Sequence, residues 1–309
     1  MAESAAPDVP DVDWRVASAT GRLLVPSGPD LTRGEAAAVV ADLRACADRA
    51  TEAVAAASGL DAPAAADVLI VDRAGWVRGA VSMTEAMFRA AGQQPPATML
   101  RRIGGRFAAS QVGTGLAFVA TRILGQFDPY SSTPRLLLVA PNVVAAERAM
   151  AVEPHGFRQW VCLHEQTHRF QFGAAPWLSG RLLELLRQVF ADEPDALDRV
   201  TAVMSLLEGH ADVVMDAAGQ QLVPQVARLR EVFEARRDAG GLIQLISRLF
   251  GLRAKREQYL SGARFCRAVI AEAGVDGLNL AFRAPELMPT SDELLAPTDW
   301  LRRVPERIG

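Results

Sequence analysis

The sequence predicts a predominantly helical α+β fold, and three observations carry that expectation. From Pro154 onward, apolar residues recur at helical spacing almost without interruption. Only two short β-prone runs occur, Val68 to Val71 and Leu136 to Val139. A long Ala-rich stretch opens on Thr32 and Glu35, the T-x-x-E pattern in which each side chain takes a backbone N–H left unpaired at a helix start.

In chain order, the first thirty residues are turn-rich and end in "PSGPDLTRGE". The capping box then starts a helix expected to reach about Ala57. "DVLIVDRAGWV" supplies the first strand and a turn at Gly75, and a helix follows through Thr84 to Ala91, ended by "GQQPPA". Beyond it, Gly105, Ala109, Gly113 and Ala117 are spaced by four. No GK[ST] closes that run and no strand precedes it, so it predicts a close helix–helix approach rather than a phosphate cradle. "FDPYSSTP" reads as a loop and "RLLLVAPN" as a buried or edge strand. Helices are expected over roughly 154–172, 177–191 and 195–218, with more to about 272. The Pro-interrupted stretch "APELMPTSDELLAPTDW" near the end is expected to wrap the surface. No repeat divides the chain, which reads as one unit, 1–309, with approximate lobes 1–172 and 173–309.

Half of the residues are hydrophobic and 22% are charged, ordinary for a globular protein, and the net charge is −3. That balance argues against a nucleic-acid surface and against a polybasic membrane patch. Arg carries nearly all of the positive charge, Lys255 being the only lysine. Cys46, Cys162 and Cys266 are odd in number, far apart and form no C-x-x-C pair, which suits a reducing compartment. The start "MAESAAPDVPDVDW" lacks the basic and apolar regions of a signal peptide. The most apolar tract, from Val112, is too short to cross a bilayer. A cytoplasmic protein is therefore expected; nothing in the sequence speaks to its oligomeric state.

The chemistry concentrates in "CLHEQTHRF", Cys162 to Phe170. His164 and His168 are four apart, so on a helix they share a face one turn apart and two imidazole nitrogens reach one ion. Glu165 lies about 100° around the helix, suited to act as general base toward a water rather than as a ligand. Pro154 fits the first turn of that helix, and Gly173 with Pro176 signals its end. Phe157 and Val161 share the stripe of the histidines, which therefore points inward. His155 stands at the helix start, is expected to be exposed and is given no role.

A catalytic zinc needs a third protein ligand and an open fourth position. The extended H-E-x-x-H-x-x-G-x-x-H pattern is excluded, because Gln171 and Ala174 occupy the required positions. The remaining source is "MSLLEGHADVVMD", where Glu208 and Asp212 are four apart on one face. Glu208 is favoured as the ligand, with Asp212 placed to accept the free ring N–H of a ligand histidine. His210, the rival, sits about 200° from Glu208 among apolar residues and is expected to be buried or hydrogen-bonded.

With "HEQTH" and "LLEGHADVVMD", the chain resembles the gluzincin branch of zincin metallopeptidases, in which H-E-x-x-H is joined by E-x-x-x-D on a later helix. More closely, it is similar to an actinobacterial family of zincin-like hydrolases, some members of which are associated with deazaflavin coenzyme biosynthesis. "VDWRVASATGRLLVPSGP", "VDRAGWV", "GQFDPY", "LLLVAPNVVAAER", "HEQTHRFQF", "PWL" and "PELMPT" carry that likeness across most of the chain. The resemblance implies a zincin-like fold with a small mixed sheet beside the H-E-x-x-H helix. It implies one Zn²⁺ per chain on His164, His168 and Glu208, with Glu165 as base and Asp212 behind the ligands. It also implies that "LLLVAPN" lies beside the cleft, where Leu138, Val139 and Asn142 would meet a substrate backbone. The 39 residues between His168 and Glu208 exceed the gluzincin spacing, so an inserted helix is expected there.

The expected function is zinc-dependent hydrolysis of a peptide or small amide, with Tyr259 or His210 as candidate oxyanion donors. The sequence leaves open a catalytically inactive, zinc-stabilised binding protein whose cleft is occluded by the 173–207 segment. It also leaves open a helical interaction protein in which the motif is an accident.

Overall fold

The computed structural model describes residues 12–61, 66–90, 99–223, 229 and 256–308. Its helices are α1 (Trp14–Leu24), α2 (Arg33–Ser58), α3 (Arg73–Ala90), α4 (Met99–Val119), α5 (Ala140–Met150), α6 (Pro154–Ala174), α7 (Leu178–Phe190), α8 (Ala196–Leu222), α9 (Arg256–Asn279), α10 (Ser291–Leu295) and α11 (Pro297–Ile308). Three strands, β1 (Asp67–Val71), β2 (Gly125–Asp128) and β3 (Arg135–Val139), form one mixed sheet of order β1-β3-β2. The fold is predominantly helical with a small sheet, as the sequence predicts.

The long helix α2 starts on the complete Thr32/Glu35 capping box and ends at Gly59, whose φ of 63° suits a left-handed cap. Ahead of it, the stretch expected to be turns contains α1. Asp13 opens that helix by accepting from the N–H groups of Arg15 and Val16. Gly113 of α4 lies where a Cβ would collide with the Ala17 carbonyl of α1, so the small-residue run does make a close helix crossing. Gly75 sits inside α3 rather than at a turn, because the Asp72 carboxylate accepts its N–H at 2.5 Å and starts the helix there. The "GQQPPA" breaker, and residues 224–228 and 230–255 of the stretch in which further helices are expected, lie outside the described residues.

β3 is the central strand, parallel to β1 and antiparallel to β2. Leu137 and Val139 pack into a small core with Trp76, Val77 and Ala80 of α3, whereas Leu138 faces the large core built by α2, α6, α8 and α9. Covered on both faces, the strand reads as an unbroken apolar run rather than an alternating one. β2 ends inside what the sequence offers as a loop, taking in Phe127 and Asp128. Its strand state comes from the hairpin: the fully buried Asp128 carboxylate accepts from the N–H groups of Tyr130 and Ser131, the Ser131 hydroxyl and Arg135 Nε.

Asn142, at the start of α5, locks the sheet to α4. Its Nδ2 donates to the Ala120 and Ile123 carbonyls at 2.8 and 2.6 Å, and its Oδ1 accepts from Arg73 Nε at 2.7 Å. Asn142→Ala is expected to lower unfolding stability by about 3 kcal/mol, since it strands buried polar partners; a urea titration measures this. The C-terminal stretch is more than a surface wrap. Trp300 of α11 is fully buried in the large core and donates from Nε1 to the Leu287 carbonyl. No described helix is long and apolar enough to cross a membrane.

Candidate metal centre

Helix α6 is set by its first turn. Glu153 caps it by accepting from the N–H groups of His155 and Gly156, and Pro154 follows where no N–H is needed. Phe157, Val161, Cys162, Leu163 and Phe170 anchor it in the large core. Across from it runs α8, separated in sequence by the inserted helix α7.

Three donor atoms converge between α6 and α8. His168 Nε2 lies 3.2 Å from His164 Nε2, the rings meeting edge to face. Glu208 presents Oε2 at 3.7 Å from His164 Nε2 and Oε1 at 3.7 Å from His168 Nε2. With zinc bonds near 2.05 Å, donors at two corners of a tetrahedron stand about 3.3 Å apart, so this triangle matches a zinc site in size and in ligand type. The three side chains keep 24, 16 and 24% of their surface exposed, which leaves the triangle open on one side.

The tautomers fit the same reading. His168 Nδ1 is 2.9 Å from Gln171 Oε1, an atom that only accepts, so the proton sits on Nδ1 and Nε2 carries a lone pair. His164 Nδ1 faces the Met215 sulfur at 3.3 Å, a weak acceptor. The Nε2 atoms of both rings and the Glu208 carboxylate face one another, a donor set that suits a cation. Trp160 stacks on His164 and supports its ring plane.

Glu165, next in sequence to His164, is buried against β2. A Cβ on Gly125 would stand 2.6 Å from Glu165 Cγ, so a side chain at that point of the strand would displace Glu165 from its place. Burial pushes the Glu165 pKa up to about 7, and the nearby Glu208 charge adds to the rise.

A profile of the zincin-like metallopeptidase family matches residues 12–194 and 190–301. The chain belongs to this family. Among solved structures, this zincin-like protein is similar to one from Chloroflexus aurantiacus described as a candidate hydrolase with a novel fold. The two share 27% identity over 94% of this chain and 98% of that one, with a TM-score of 0.75. No curated protein matches the chain. The expected hydrolase class and zinc-binding character therefore rest on the family as well as on the donor triangle.

Several details of the zincin-like site differ from the sequence expectations. Leu138 and Val139 lie on the central strand, both of whose sides are already paired, so no substrate strand can be added there. Asn142 is committed to its three hydrogen bonds in α5. His210 is 1% exposed and sits on the Nδ1 side of His168, joined to it through Gln171, which removes it as an oxyanion donor. Burial pushes its pKa down to about 3, so it is neutral.

The ring N–H of His168 goes to Gln171 rather than to Asp212. Asp212 is half-buried one turn beyond Glu208, and after burial its charge is the next cause of the raised Cys266 thiol pKa. The side chain of Tyr259 lies outside the described residues. Gln171 and Gly125 were not singled out from the sequence. The spacing H-x-x-Q after His168 is the signal that points to the first; the second carries none.

Asp42, Cys46 and His155 form another cluster with metal-ligating atoms. There His155 is exposed, as expected, but its Nδ1 pairs with Asp42 at 2.7 Å. Arg49 reaches both Cys46 and His155, Arg158 holds the other Asp42 oxygen, and burial pushes the Cys46 thiol up to about 12. Two guanidinium groups already fill the role of a cation in that cluster.

Proposed function

We propose that this protein is a zinc-dependent hydrolase of peptide or amide bonds, with His164, His168 and Glu208 as the metal ligands and Glu165 as the general base. The observation that carries the reading is the convergence of two imidazole Nε2 atoms and a carboxylate beside a buried glutamate. When bound, zinc supplies Lewis acidity, polarising a carbonyl and lowering the pKa of a water. Glu165 takes the proton from the attacking water and delivers it to the departing nitrogen. With a cation held by the triangle, its charge would oppose the rise that burial causes, so Glu165 would stay in the basic form at neutral pH.

Gly125 to Asp128 form the edge of the sheet on the Glu165 side, because β2 pairs with β3 alone among the described strands. An extended peptide adds there as a further strand through main-chain hydrogen bonds, which moves the substrate strand from β3 to β2. A place beside deazaflavin coenzyme biosynthesis is supported by sequence resemblance alone.

The test is incubation of zinc-loaded protein with peptide and small-amide mixtures, with products read by mass spectrometry. Cleavage at C–N bonds, blocked by a hydroxamate and absent in Glu165→Gln, is the expected result. A zinc-loaded protein that cleaves nothing and binds no hydroxamate contradicts the reading and favours the non-catalytic binding protein. The partial exposure of all three ligand side chains favours the catalytic alternative.

A further inference from the structure

Gln171 is fully buried on α6, three residues after His168, and its amide is held at both ends. Gln171 Nε2 lies 2.8 Å from the Leu207 carbonyl and 3.0 Å from His210 Nδ1, both on α8. The Leu207 carbonyl can only accept, so the NH2 end must face it and the oxygen must face His168. A flipped amide would set two acceptor oxygens against each other at the Leu207 position. His210 Nδ1 then accepts the second amide hydrogen, and its own ring proton sits on Nε2.

We infer that Gln171 is a positioning residue for the metal centre: braced by Leu207 and His210, it fixes His168 as the Nδ1–H tautomer with Nε2 aimed at His164 and Glu208. The inference rests on the zinc reading above and names the device that preorganises one ligand. The brace joins α6 to α8 directly behind the donors, so it also holds His168 in register with Glu208, one residue after Leu207. Because the partner is a neutral amide, it orients the ring without adding negative charge to the site.

The test combines two measurements on full-length wild type, Gln171→Leu and His210→Phe. Histidine-selective ¹⁵N NMR on the metal-free proteins reads the ring tautomers, which the four histidines of this chain make tractable. Wild type is expected to show His168 protonated at Nδ1, Gln171→Leu to shift it toward Nε2–H, and His210→Phe to shift it in part. Chelator competition reads zinc affinity, expected to fall about tenfold to a hundredfold in Gln171→Leu, the usual effect of removing a partner behind a metal ligand. A Gln171→Leu protein with the wild-type tautomer and zinc affinity overturns the inference. If that variant does not fold, an unchanged His168 spectrum in His210→Phe overturns it instead. A wild type that binds no zinc defeats the hydrolase reading, while the tautomer spectra still decide the role of Gln171.

Discussion

Glu165→Gln is expected to abolish hydrolysis, leave zinc binding intact, and raise the stability of the metal-free protein by about 3 kcal/mol at pH 8. The loss of hydrolysis and the gain in stability share one cause. The carboxylate is buried beside β2, and its pKa rises from the ordinary value near 4.5 to about 7. Below pH 4.5 the group is protonated in both folded and unfolded chains and costs nothing. As pH rises through 4.5 the unfolded chain releases its proton while the folded protein keeps it, so stability falls; above about pH 7 the full cost is present. Glutamine keeps the shape and removes the charge, so the variant should outlast wild type at pH 8 and match it near pH 4. Urea unfolding of both proteins at the two pH values, in the presence of a chelator, measures this. A variant no more stable than wild type at pH 8 contradicts the buried-carboxylate description.

Gly262→Ala is expected to destabilise the protein by about 3 kcal/mol or more and to weaken zinc binding with it. Helices α8 and α9 cross backbone to backbone. A Cβ at Gly262 would overlap the Ser205 carbonyl, and one at Gly209 would overlap the Gly262 carbonyl and the Ala263 nitrogen. No flexible side chain can yield at this contact, so the helices must separate. Glu208 sits between Ser205 and Gly209, and a displaced α8 carries it away from His164 and His168. Gly104→Ala is the control: nothing lies within 4 Å of a Cβ there, so it should be neutral or gain up to about 1 kcal/mol from helix propensity. Thermal melts and chelator competition on the two variants separate the effects. Equal behaviour of Gly262→Ala and Gly104→Ala would remove the crossing from the explanation of the site.

Local signals proved legible in the sequence wherever local chemistry decides the structure. Thr32 and Glu35 fix the start of α2 within a few residues, and the H-E-x-x-H spacing brings His164 and His168 together because helix geometry alone requires it. Helical periodicity singled out Glu208 over His210, and in the fold Glu208 faces the histidines while His210 lies behind them. What the sequence did not reveal depends on partners distant in the chain. β2 is a strand because buried Asp128 closes a hairpin onto β3, and β3 is central because β1 arrives on its other side. Gln171 gains its position from a carbonyl and an imidazole on α8, and Gly125 from the bulk of Glu165. In α1, polar residues and Gly21 obscured a helix that packing against α4 makes stable.

Zinc content per chain, measured by elemental analysis on wild type and Glu208→Ala purified without added metal or an affinity tag, bears most directly on the convergence of His164, His168 and Glu208. Close to one zinc in the wild type and little in the variant is the predicted result. A wild type that holds no zinc, even after zinc addition and dialysis, would contradict it and leave HEQTH as part of the core.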